Sequence, residues 1–293
     1  PLKLEADVLQ ARGVRLADRG EHARARELLL QAAARHQAAA AIGRSDSRIY
    51  AAEALDWIRI MEADDVRGAS IAEGQKGALT ATGNAIASDP RAPLGYQLAA
   101  WMSWRIGFSK LNRGLDATQD VQQAVDLARQ AVDLDRNDWH SHYFYALALG
   151  GLSEVQDSQG KGTATLSEQA IAALQRSIEL NKNFSWSWND LGLRHLSIFR
   201  IQRLHGIYDK ERFEQARDAF QAAVRVEPTY IHPITNTLAL SILLVIIVIY
   251  FFLRSARATL IPAIALPISL VGTFAGMWAL DLSIDNISLL ALT

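Results

Sequence analysis

The sequence predicts an all-α protein in two parts: an α-solenoid of helix pairs with a 46-residue period, followed by a transmembrane helical hairpin. Three observations predict it. Small residues recur on helical stripes at a fixed spacing of 46 residues, within the range of periods that marks stacked repeats. Charge stops abruptly: of 30 Lys plus Arg and 31 Asp plus Glu, only Arg254, Arg257, Asp281 and Asp285 lie beyond Leu238. Leu238 to Leu253 is uncharged and contains thirteen Leu, Ile, Val or Phe. The expected organisation is an N-terminal helical region at 1–48, a repeat domain at 49–230, a junction at 231–237 and the hairpin at 238–293.

The N-terminal region carries a weaker copy of the repeat, with irregular spacing, at Gly20, Ala25, Leu29 and Ala32. The chain begins with Pro1 and shows no basic segment followed by an apolar core, so an internal start is expected and no export signal is visible.

The repeat domain shows its period on two helices per unit. On the second, Ala78, Ala124, Ala170 and Ala216 are 46 residues apart. Four residues on stand Thr82, Ala128, Leu174 and Phe220, and three further Ala85, Ala131, Ser177 and Ala223. Spacing i, i+4, i+7 is one stripe of a helix. The first helix repeats a small position at Ala54, Ala100, Ala146 and Gly192, with a ring four residues earlier at Tyr50, Tyr96, His142 and Trp188. A small residue lets helices approach closely while the ring fills the space beside it. Such pairs cannot bury their stripes alone, and stacking neighbours supplies the rest of the core. The tryptophans Trp57, Trp101, Trp104, Trp139, Trp186 and Trp188 are expected mostly in that core.

The order of aromatic, Leu-Gly, Ala, Phe, Ala and Pro resembles the tetratricopeptide repeat. The last unit shows it best, in Trp188, Leu191, Gly192, Ala216, Phe220, Ala223 and Pro228. That repeat has a period of about 34 residues, so each unit here carries roughly 12 more, expected between its two helices. The stretch from Ser158 to Leu196 also resembles the repeat region of some bacterial serine/threonine protein kinases. No glycine-rich loop with its lysine, HRD or DFG occurs in the chain.

The hairpin follows from hydrophobic length. A second apolar stretch runs from Thr259 to Leu280, and a bilayer core about 30 Å thick needs roughly 20 apolar residues per helix. The segments Phe252 to Phe274 and Leu282 to Thr293 resemble transmembrane helices 2 and 3 of RND-type efflux permeases. The resemblance implies drug/proton antiport and a trimeric inner-membrane assembly for a complete permease. It assigns no proton-relay residue here, since the family's paired aspartates belong to the next helix, and Asp281 and Asp285 lie in a connection. Two expectations then conflict. Arg254 and Arg257 favour a cytoplasmic turn, with both outer ends across the membrane, while the repeat domain is expected in the cytoplasm. A join of two truncated fragments, without transport activity of its own, is the expected explanation; a natural fusion is the alternative.

Composition narrows the function classes. The first 237 residues hold 28 basic and 29 acidic groups with no long run of either, so no nucleic-acid partner is expected. Cysteine is absent, which removes thiolate chemistry and cysteine metal sites. His140 and His142 diverge on a helix and do not suit one metal. Gly160, Lys161, Gly162 and Thr163 lack the register of a phosphate loop and are expected in an inter-helix loop. No catalytic residue, cofactor or metal is implied. The expected function is a scaffold holding an unidentified peptide or protein in a concave groove, with Gln97, Asn189, Asp190 and Arg194 as its polar contacts and the lipid bilayer as partner of 238–280. The alternatives are an efflux-transporter fragment and a kinase regulatory region.

Overall fold

The computed structural model describes residues 2–228 except Arg44. The predicted junction at 231–237 and the hairpin at 238–293, with Arg254 and Arg257, lie outside the described residues. Among the described residues, no helix is long and apolar enough to cross a membrane.

The described residues form ten helices in order: α1 (Leu2–Asp18), α2 (His22–Ile42), α3 (Ser47–Val66), α4 (Ala72–Ser88), α5 (Pro93–Asn112), α6 (Thr118–Leu134), α7 (Trp139–Ser158), α8 (Ala164–Leu180), α9 (Ser185–Leu204) and α10 (Lys210–Val226). Two compact units divide the described residues, one of 2–182 and 197–208, the other of 183–196 and 209–228. In the first unit each odd-numbered helix packs on the even-numbered helix that follows it. Each even-numbered helix then packs on the next odd one, and α1, α3, α5 and α7 touch in succession.

The 46-residue period governs helix boundaries as well as side chains. Odd helices from α3 onward start at Ser47, Pro93, Trp139 and Ser185, and even ones from α4 onward at Ala72, Thr118, Ala164 and Lys210. The additional residues of each unit do not form an insertion between its helices, contrary to the sequence expectation. They lengthen them: α3, α5, α7 and α9 have 20 residues each and α4, α6, α8 and α10 have 17. Nothing between Ala54 and Val66, for example, is a proline or glycine, so the helix runs on until Gly68 stops it.

One device ends every odd helix among the described residues. Gly20, Gly68, Gly114, Gly160 and Gly206 have φ between 68° and 78°, a region L-residues adopt at a cost. In each case the residue after the glycine donates its backbone N–H back to the last helical turn. Lys161 reaches the Gln156 carbonyl and Ala69 that of Asp64, at 2.9 and 2.8 Å. This is the Schellman ending, which satisfies carbonyls otherwise left without partners. The Gly160 to Thr163 stretch is thus the fourth of five equivalent caps.

The predicted stripe is the core. Ala78, Ala124, Ala170 and Ala216 are fully buried, as are Thr82, Ala128, Leu174, Phe220, Ala85, Ala131, Ser177 and Ala223, all at 2% exposure or less. Ala54, Ala100, Ala146 and Gly192 are buried with them. Two residues placed in the repeat core on sequence grounds lie elsewhere. Pro228 is exposed just beyond α10, because a proline there ends the helix and fills no internal space. Trp188 is half-buried, like Tyr50, Tyr96 and His142; a ring next to a small residue fills the edge of the helix contact and leaves its far side outside. Similarly, none of the six tryptophans expected in the core is wholly internal: five are half-buried and Trp186 is 40% exposed.

Candidate partner-binding face

Every odd helix from α3 to α7 brings a half-exposed apolar residue to the same register, namely Leu55, Trp101 and Leu147. Trp101 connects its neighbours. The Arg59 guanidinium of α3 lies 4.8 Å from its ring centroid, and the Phe144 ring of α7 lies 5.8 Å from it at an interplanar angle of 33°. Arg59, Trp101 and Phe144 therefore form one strip across three successive odd helices, all three half-exposed. A cation over a tryptophan face is worth roughly 0.5–1 kcal/mol where water reaches it.

Charge pairing stiffens the strip on one side. Arg59 donates to Glu62 at 2.7 Å, and Arg105 stands 3.7 Å from Glu62 and 3.5 Å from Asp65. Arg105 also covers the rings of Trp104 and Phe108, at 5.8 and 5.6 Å. Asp65 accepts from Ser109 at 2.6 Å and from Arg113 at 3.1 Å. Two tryptophans are seated over glycines: a Cβ on Gly77 would meet the Trp57 ring at 2.2 Å, and one on Gly151 would meet Trp104 at 2.7 Å.

The polar residues predicted to contact a partner have mixed placements. Gln97 is only 4% exposed and donates to Asp138 and, at 2.8 Å, to Ser141; it joins α5 to α7. The Asp138 carboxylate also caps α7, accepting from the backbone N–H of His140 and Ser141 at 3.3 and 3.1 Å. Burial pushes that carboxyl up, but hydrogen bonds from His140 and Ser141 outweigh it and hold it at about 2. Asn189 and Arg194 are buried as well, while Asp190 is half-buried and accepts from Asn189 at 3.1 Å. In the same compact unit His195 receives a hydrogen bond from Arg212 at 3.2 Å. Burial, and then the Arg212 charge, push its pKa down to about 4. His140 stacks on Trp139, and His142 bonds the Arg136 carbonyl at 2.9 Å. Of the four predicted contacts, Asn189 and Asp190 are the pair that the described bonds bring together.

A buried polar cluster lies outside every residue that the sequence singled out. His36 of α2 is fully enclosed between two carboxylates, with Nδ1 2.6 Å from Asp56 and Nε2 3.1 Å from Asp7. Gln10 donates to the other Asp56 oxygen at 2.8 Å. Nearby, Arg26 holds the buried Asp64 at 2.8 Å and pairs with Glu73. A signal was available: in the 46-residue register Asp56 stands where later units have Met102, Ala148 and Arg194, and a carboxylate at a position that is apolar in two units and buried demands a partner.

The comparisons split the chain into two parts, with the family match beginning upstream of the composition break. The AcrB/AcrD/AcrF family model matches residues 216–293, a stretch that begins inside α10, upstream of the apolar run at Leu238. The multidrug resistance protein MdtC of Salmonella paratyphi B is 43% identical over 102 residues, covering 32% of this chain and 10% of that protein. MdtC of Salmonella newport matches to the same extent. The chain thus spans about a tenth of the length of the curated relatives it matches. In structure the chain is similar to TTC0263, described as a thermophilic TPR protein in Thermus thermophilus. The TM-score is 0.51 at 15% identity, over 80% of this chain and 98% of that one. The repeat part has a TPR-like fold, and the C-terminal segment is similar to part of an RND permease.

Proposed function

We propose that the repeat part is a protein-interaction scaffold that holds a peptide or protein partner along the odd helices of its first compact unit. The observation that carries this reading is the Arg59, Trp101 and Phe144 strip: half-exposed aromatic surface, contributed by three successive units and flanked by arginine, is the composition that dominates binding interfaces. A photo-crosslinking residue at position 101 tests it in the host cell. One discrete adduct is expected, lost on Phe144→Ala and absent when the probe sits at the exposed Leu79 of α4. Equal labelling from both positions would remove the reading.

For the C-terminal segment we infer a piece of an RND-type membrane domain, inserted in a bacterial inner membrane through 238–280 and joined to a repeat region of separate origin. The 43% identity to MdtC supports it. Drug export belongs in this reading to a longer polypeptide, and the chain of 293 residues is expected to confer none. The kinase-linked alternative rests on the stretch from Ser158 to Leu196 and inherits the same scaffold. Long-read sequencing of the source DNA across the codons for Pro228 to Leu238 decides between a fusion and a join. An unbroken frame in several independent isolates would make the fusion natural, and a break would separate the two parts.

A further inference from the structure

The α1 face that carries Arg12 and Arg15 differs from the equivalent face of α3. Aligned on their capping glycines, Gly20 and Gly68, Arg12 and Arg15 of α1 take the places of Ile60 and Ala63 of α3. Ile60 and Ala63 are buried, and α3 packs against α2. Arg12 and Arg15 are exposed. Arg15, in the last turn of α1, suits the helix dipole. That need does not account for a concavity lined by several guanidinium groups.

Such a concavity exists. Arg12, Arg15, Arg19 and Arg24 line a pocket of about 410 Å³ between α1 and α2, with Glu27 as its acidic residue. Arg24 is engaged with Glu21. The guanidinium groups of Arg12 and Arg15 on α1, and of Arg19 in the turn that follows it, have no ion pair or hydrogen bond among the described residues. Three like charges lining one concavity repel one another, and concave walls concentrate their field. An anion with several charges and several acceptor oxygens relieves that repulsion best. The planar guanidinium fork matches phosphate oxygens two at a time. Leu16 and Leu28 also line the pocket.

We propose that this pocket binds a phosphate-bearing anion carrying two or more negative charges. The anion is either a soluble phosphate compound or a phosphate headgroup of a lipid. The site is distinct from the strip on α3, α5 and α7, and the proposal does not depend on the scaffold reading.

The test titrates the full chain, held in a non-ionic detergent, with two probes followed by calorimetry. Inorganic pyrophosphate represents the soluble source, and dihexanoyl phosphatidic acid below its micelle concentration represents the lipid source. Saturable binding of either probe at one site per chain is expected. It should weaken roughly tenfold or more in Arg12→Gln/Arg15→Gln/Arg19→Gln and in the milder Arg15→Gln by a smaller factor. Arg48→Gln, which removes an exposed arginine engaged with Asp46, should leave it unchanged. Binding of pyrophosphate assigns the soluble source, and binding of the lipid alone assigns the headgroup. No saturable binding of either probe, or equal affinity in the triple variant with circular dichroism unchanged, overturns the proposal.

Discussion

Nδ1 of His36 lies 2.6 Å from Oδ2 of Asp56, and both side chains are fully removed from solvent. The pair ties α2 to α3, and Asp7 on the second ring nitrogen brings in α1. Removing one member of a buried pair leaves the other charge without compensation, at about 3–5 kcal/mol. His36→Leu should therefore destabilise the chain by that order, and Asp56→Leu similarly. The double variant His36→Leu/Asp56→Leu should recover most of the loss, because apolar replacement of a whole buried pair is often close to neutral. Denaturant unfolding of the three variants checks this; additive losses would show that the two side chains act independently.

The same cluster makes stability depend on pH. Burial opposes the charged form of His36, yet the hydrogen bonds and charges of Asp56 and then Asp7 raise its pKa above the ordinary 6.5. Its contribution is thus complete below 6.5 and is lost as pH rises through the higher folded value. Burial also pushes Asp56 up, against its bonds from His36 and Gln10, which acts in the same sense above 3.8. Asp7 works oppositely: burial is outweighed by Lys3 and His36, its pKa is lowered, and its contribution disappears as pH falls below 3.8. Glu53, on the Asp56 helix, adds a like charge that raises Asp56 further. Hydrogen exchange of α1 and α2 should speed up as pH rises above about 6.5 once the intrinsic rate is divided out, and the double variant His36→Leu/Asp56→Leu should abolish that dependence.

Two glycines should fail for different reasons. A Cβ on Gly192 would meet Phe220 at 2.5 Å, and Phe220 is fully buried. Overpacking of this kind costs about 1–3 kcal/mol. Gly160 has open space around its Cβ position but a φ of 69°, so Gly160→Ala should cost about 1 kcal/mol through backbone strain. Adding Phe220→Leu should relieve Gly192→Ala and leave Gly160→Ala unchanged. Thermal unfolding of the single and double variants makes the comparison.

Asp138 serves two helices at once, capping α7 and accepting from Gln97 of α5. Loss of an N-cap costs about 1 kcal/mol, and the lost hydrogen bond from Gln97, which keeps its bond to Ser141, adds to it. Asp138→Ala should thus cost more than the loss of the cap by itself. Because its pKa is lowered to about 2, the Asp138 contribution should be present above about pH 4 and vanish only as pH falls through about 2. Acid titration of unfolding in the wild type and Asp138→Asn checks the window.

The period, the buried stripe residues and the position of the composition break are legible in the chain without coordinates, because burial at i, i+4 and i+7 is a local property of one helix. The repeat pattern places Gly192 and Phe220 at buried positions of two helices, and that the Phe220 ring packs on Gly192 is seen only in the structure. Helix length is not legible in the same way, since no residue between Ala54 and Val66 announces where the helix should stop, and Gly68 beyond them does so through its positive φ. Gln97 reads as a surface contact because nothing local shows that Asp138 and Ser141, 41 and 44 residues away, will enclose it. The His36 cluster and the arginine pocket come into being only when helices stack. His36 meets Asp7 and Asp56 across 29 and 20 residues of chain, and Arg24 joins the α1 arginines only when α2 folds back. Contacts of that kind follow from which helices stack on which, whereas periodicity specifies only which face each helix buries.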